Sequence, residues 1–124
     1  PPQSRLSADL GDGNLSFHGF EWLASSAWSL GFRAPRMENG IVKIPILFDD
    51  YEMFRKGVPF AEWRARALAL VDTRPFVAFS LHDCYAEHWL PHYAGFLADI
   101  RARGRLRTLD EIAADVALAQ ARWV

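Results

Sequence analysis

Apolar positions along the chain alternate between two kinds of run. Ile41 to Phe48 (Ile-Val-Lys-Ile-Pro-Ile-Leu-Phe) is β-branched and almost entirely apolar, the pattern of a strand covered on both faces. Pro45 argues against a central place for it unless the proline sits at a bulge or a strand end. Phe76 to Leu81 repeats the pattern and predicts a second strand. Between them, Phe60, Trp63, Ala67 and Val71 recur at helical spacing, with Glu62, Arg64 and Arg66 largely elsewhere, so Phe60 to Val71 reads as an amphipathic helix. Asp72-Thr73-Arg74-Pro75 stops it. Tyr85 to Arg103 predicts a long helix that Pro91 kinks or splits and Gly104 closes. Leu106-Arg107 predicts a short strand. Thr108-Leu109-Asp110-Glu111 is a capping box that opens a last helix to about Arg122, with Ile112, Val116 and Ala119 on one face. Signals before residue 41 are weaker. Residues 1–14 read as a polar, Gly-rich loop, and Leu15 to Ser26 as a short helix followed by a strand around Phe20 to Leu23. Gly31 to Gly40 reads as irregular chain ending in the turn pair Asn39-Gly40. The order strand, helix, strand, helix, short strand, helix predicts an α/β chain of parallel β/α units.

Composition narrows the partners. With 124 residues the length fits one domain, and the chain is long enough to bury a core. Aromatic residues make up 14%, including five Trp and nine Phe, which predicts a large core or an aromatic-lined cleft. The net charge of −1 argues against nucleic acid as a partner. No apolar run approaches the ~20 residues of a membrane helix, and no signal peptide is visible, although the chain opens on Pro1-Pro2 without Met. Cys84 stands alone, so no internal disulfide forms, which agrees with a reducing compartment and favours the cytoplasm.

In parallel β/α folds chemistry collects at the carboxyl ends of strands. Both strong strands here end in ionisable pairs, Asp49-Asp50 and His82-Asp83. A carboxylate beside an imidazole orients the ring and favours its protonated form, as a general acid requires. The competing reading is that the aspartates cap turns and His82 is a satisfied loop residue. His88-x-x-x-His92 has metal-binding spacing but no Glu after His88 and no third ligand, so a polar helix face is the better account. Cys84 near His82 fits a small filler better than a nucleophile. Arg33-Ala34-Pro35-Arg36 could clamp an anion or lie in a solvated loop. Tyr51, Trp63 and Trp89 could stack on sugar rings, against a default of core packing.

Ser80-Leu81-His82-Asp83, then Trp89-Leu90-Pro91-x-Tyr93, then Gly104 and Thr108-Leu109-Asp110-Glu111-Ile112, resemble the last segment of the polysaccharide deacetylases, which share the NodB-homology domain. Asp49-Asp50-Tyr51 after its strand resembles the fourth motif of that family, usually Asp-x-x-Asp-Trp, and Gly19-Phe20-Glu21-Trp22 with Ser25-Ser26 resembles the stretch after its third. For the third motif itself, an Arg-x-Pro segment, Phe32-Arg33-Ala34-Pro35 matches the letters but not the order, and Pro1-Pro2 matches the place. Leu81 and His82 are adjacent where the family has a spacer. The first motif, Thr-Phe-Asp-Asp, and the second, His-x-x-x-His, do not occur before residue 40.

The resemblance implies the C-terminal part of a distorted (β/α) barrel of the NodB-homology type, from a metal-dependent enzyme that hydrolyses the N-acetyl amide of a sugar, polysaccharide or sugar-lipid. His82 would protonate the leaving amine. Asp50 or Asp49 would tune it, with Asp50 favoured as the one further past the strand end. Leu81 would line the acyl pocket, and Tyr51 and Trp89 would contact the sugar. A divalent metal, zinc or similar, is expected for the complete enzyme, with its ligands outside this chain; His88 and His92 are not expected to serve. The rival reading is a non-catalytic fragment or subunit with a structural or sugar-binding role, which metal content would distinguish from an intact site.

A barrel of this kind needs roughly 200–250 residues. Half of one exposes strand edges and an apolar interior face, with Val42, Ile44, Val77 and Phe79 as its candidates. Residues 1–124 are therefore expected to aggregate, self-associate or pair with an N-terminal half, as sedimentation with metal analysis would reveal. A folded, active, metal-loaded monomer would contradict this.

Overall fold

A computed structural model describes residues 11, 12, 15 and 19–122. The expected loop over residues 1–14 falls almost wholly outside them. Among the described residues, thirteen segments of mixed α/β structure divide between two compact units, residues 1–46 with 107–124, and residues 47–106.

The first unit holds strands β1 (Trp22–Ser26), β2 (Arg36–Glu38) and β3 (Ile41–Ile46), in the order β1-β3-β2. β1 runs parallel to β3 and β2 antiparallel. Helix α1 (Ala27–Leu30) follows β1 directly, with Ser26 accepting from the Ser29 N–H at its start. The Asn39-Gly40 pair joins β2 to β3. Both residues have positive φ, 52° and 79°, as a two-residue hairpin turn of the primed type demands. β3 is central in spite of Pro45. The antiparallel partner stops opposite Lys43, so Pro45 has a strand neighbour, at Ser25, on one side only.

Val42 and Ile44, expected on an exposed barrel face, are instead buried, as is Ile41. Lys43 shares this buried strand. Its side-chain nitrogen is paired there, with Asp12 2.9 Å away and Glu38 3.9 Å away. The last helix of the chain, Leu109–Arg122, packs on all three strands. The capping box forms as the sequence predicts. Glu111 accepts from the Thr108 N–H, and the Thr108 hydroxyl accepts from the Glu111 N–H. Arg107, expected in a short strand, pairs instead with Asp115. The Trp22 indole N–H donates to Asp110 at 2.6 Å.

The second unit contains β4 (Phe48–Asp49), α2 (Tyr51–Arg55), α3 (Phe60–Thr73), β5 (Phe79–Ser80), α4 (Ala86–Trp89) and α5 (Tyr93–Arg103); the helix already described, Leu109–Arg122, is α6. The apolar run read as one strand over 41–48 is thus two strands in two sheets, parted at Leu47. The run 76–81 yields only a two-residue strand. Pro91 splits the predicted long helix through a 3-10 turn, Leu90–His92, as its missing N–H and ring clash dictate. Gly104 ends α5 in an extended conformation, donating to the Ile100 carbonyl. The core is Met53, Trp63, Ala67, Leu68, Phe96 and Ile100, with Phe48, Phe79 and Leu81 against it. The sheets are small, and no closed barrel forms among the described residues. No helix among them is long and apolar enough to cross a membrane.

The Asn39 amide and the Lys43 ammonium both hold Asp12 below its ordinary value of 3.8. A carboxylate depressed on folding contributes stability that is full above its unfolded value and is lost as pH falls through the folded one. Acid unfolding curves between about pH 5 and 2 are therefore expected to be shallower for Asp12→Asn than for wild type. Parallel curves would exclude the contribution.

Candidate active site

The two shortest strands build the site. β4 and β5 are parallel, with Phe48 opposite Phe79 and Asp49 opposite Ser80. The chain leaves both strands at the same end, so Asp50 and His82 emerge side by side although 32 residues apart. A two-residue ladder holds little by itself. Aromatic packing does the rest: Phe48 stacks on Trp63 at 5.2 Å, and Phe79 meets Phe96 edge-on at 5.8 Å.

Asp50 is wholly buried. Its Oδ2 accepts from the His82 main-chain N–H at 2.7 Å, and its Oδ1 lies 2.6 Å from His82 Nδ1. An ionised carboxylate only accepts, so Nδ1 carries the proton. Nε2 then has no hydrogen-bond partner among the described residues, on a ring whose side chain is 38% exposed. One residue thus uses both carboxylate oxygens, one through its backbone and one through its ring. Two indoles brace the pair. Trp63 Nε1 donates to the carbonyl of Asp49 at 2.7 Å, on the peptide that leads into Asp50, and Trp89 Nε1 donates to the carbonyl of His82 at 3.3 Å.

The other predicted residues take distinct places. Asp49 is exposed, and its Oδ1 accepts from the Tyr51 N–H in a turn that leads into α2. The structure therefore brings Asp50, and not Asp49, to His82. Leu81 is half-buried against the core. Tyr51 is exposed, while Trp63 is buried and Trp89 half-buried with its indole N–H engaged. His88 faces Glu87 at 3.4 Å, and His92 stacks on Phe60 at 4.5 Å. Cys84 is exposed. The Arg36 guanidinium is used by Glu38 and by the ring of Phe32.

Phe54 and Tyr85 were not legible as site residues. Their rings stack at 4.6 Å, and Tyr85 meets the His82 ring edge-on at 5.5 Å. The one signal for them was spacing, Phe54 at i+3 from Tyr51 and Tyr85 at i+3 from His82. Partial burial, then Cys84, Tyr51, Asp50 and Asp49, push the Tyr85 phenol above its ordinary value.

Among the described residues no group of three His, Cys, Asp or Glu side chains could hold a metal. The dyad does not fit one either, because both Asp50 oxygens are engaged by His82. No protein-family model matches the chain, and no characterised protein or solved structure matches it significantly.

His82→Ala would leave the buried carboxylate without its ring partner. A loss of about 3 kcal/mol is expected by chemical denaturation, the low end for a buried pair because His82 is half-exposed. Asp50→Leu with His82→Ala should recover part of that loss, since no charge is then stranded. Equal stability of the two variants would show that the buried charge is not the cause.

Proposed function

We propose that Asp50 and His82 form the proton-delivering half of a site that hydrolyses the N-acetyl amide of a carbohydrate. The observation that carries this reading is the buried carboxylate held at both oxygens by a histidine whose Nε2 remains free. Amide cleavage stalls unless the amine is protonated as the C–N bond breaks. His82 supplies that proton from Nε2. Asp50 fixes the ring and stabilises the imidazolium before the transfer, as a carboxylate does for a histidine base. Trp63 and Trp89 hold the main chain of the two residues, so the ring direction is set before substrate arrives.

The resemblance to polysaccharide deacetylases supplies the substrate class. It also implies a divalent metal, zinc or similar, to polarise the acyl carbonyl and activate water. The residues described here do not fit that ion. In this reading its ligands and the base come from an N-terminal half of the barrel or from self-association, and His82 acts on the leaving group alone.

In the complete protein, His82→Ala is expected to lower kcat on an N-acetylglucosamine oligomer by about 10²–10⁴, with metal content unchanged. Loss of metal would make His82 a ligand, and an unchanged rate would remove it from the reaction. Tight oligomer binding without turnover in wild type would favour the sugar-binding reading.

A further inference from the structure

Three aromatic rings stand beside the dyad and outside the core. Tyr51 and Phe54 lie one turn apart on α2, and Tyr85 ends the 3-10 turn that begins just after His82. Phe54 and Tyr85 are nearly parallel, at 18° and 4.6 Å, and Tyr51 lies 6.2 Å from each. These rings pack on one another, and two of them stay wet: Phe54 is 55% exposed and Tyr51 42%, while Tyr85 is half-buried. The same short helix turns Met53 into the core, so the outward rings are not spare core residues. Exposed carboxylates accompany them. Asp49 and Asp83 each give one oxygen to a main-chain N–H, and neither enters an ion pair among the described residues.

We propose that Tyr51, Phe54 and Tyr85 form a stacking subsite for one neutral pyranose ring of the carbohydrate, next to the unit whose amide faces His82. The placing of that amide rests on the hydrolytic reading; the binding does not. A pyranose has an apolar C–H face and a hydroxyl rim. Tyr85 covers one face of Phe54, and the side that leaves Phe54 55% exposed offers the apolar contact to the sugar face, while the phenols and carboxylates meet the hydroxyls. A purely apolar occupant would strand those polar groups. An anionic one would meet Asp49 and Asp83. The Tyr85 ring touches both the shelf and His82, which makes the two surfaces continuous.

The test is titration of the full chain with N-acetylglucosamine trimer, followed by intrinsic fluorescence. Phe54→Ala and Tyr85→Ala are each expected to weaken binding about tenfold, the size of one lost ring contact. Tyr85→Phe should keep most of the affinity. Phe54 is exposed, so its variant keeps the fold, which near-UV circular dichroism checks. Trimer binding that needs Phe54, with turnover by the metal-loaded assembly that does not need His82, leaves the subsite standing and sinks only the hydrolytic reading. Unchanged affinity in Phe54→Ala and Tyr85→Ala, no binding by wild type, or binding of tetramethylammonium in place of the trimer would overturn the subsite.

Discussion

The Asp50 carboxylate has no exposed surface, and an unpaired charge in that position would cost more than the fold could recover elsewhere. Its two oxygens are satisfied by the main chain and the ring of a single residue, His82. This couples the site to the register of two very short strands. A slip of one residue between β4 and β5 would carry the His82 N–H away from Asp50 and turn its side chain to the other face. The register therefore cannot vary without stranding the charge, and the charge cannot be held without the register.

So short a ladder needs support from outside itself. Phe48 and Phe79 sit opposite each other, and Trp63 and Phe96 pack against them from α3 and α5. Trp63 serves twice: its ring fills the core, and its N–H holds the carbonyl that precedes Asp50. Burying an indole without a partner for that N–H is unfavourable, so the bond satisfies the core and the site together. Trp89 plays the matching part at the His82 carbonyl, from a more exposed position. The free imidazole nitrogen thus stands on a frame in which core packing and polar pairing are the same contacts.

The two units use polar burial differently. In the first, Lys43 lies in a buried strand and is neutralised by Asp12 and Glu38, which serve the strand's stability. In the second, the buried charge faces a half-exposed ring with a free nitrogen. Short helix α2 also divides its residues, with Met53 inward and Tyr51 and Phe54 outward, so that one turn of chain supplies both core and exposed shelf.

The sequence by itself determined the elements whose causes are local. The capping box at Thr108, the break at Pro91, the amphipathic helix around Trp63 and the turn at Asn39-Gly40 follow from backbone and side-chain chemistry within a few residues. It also singled out His82 and the two aspartates, because ionisable pairs at strand ends are conspicuous. Tertiary structure decided what pairing alone can decide. Ile41 to Phe48 looked like one strand because apolar content does not reveal which partner a residue pairs with, and the chain passes there from one sheet to another. Phe76 to Leu81 looked long enough for a full strand, yet the ladder covers only Phe79 and Ser80, preceded by one bond from the Leu47 N–H to the Ala78 carbonyl. Asp50 rather than Asp49 reaches His82, since adjacent residues leave a strand in opposite directions and only the partner strand shows which direction is inward. Phe54 and Tyr85 stayed hidden for the same reason: two rings 31 positions apart become one surface only after the strands that precede them have paired.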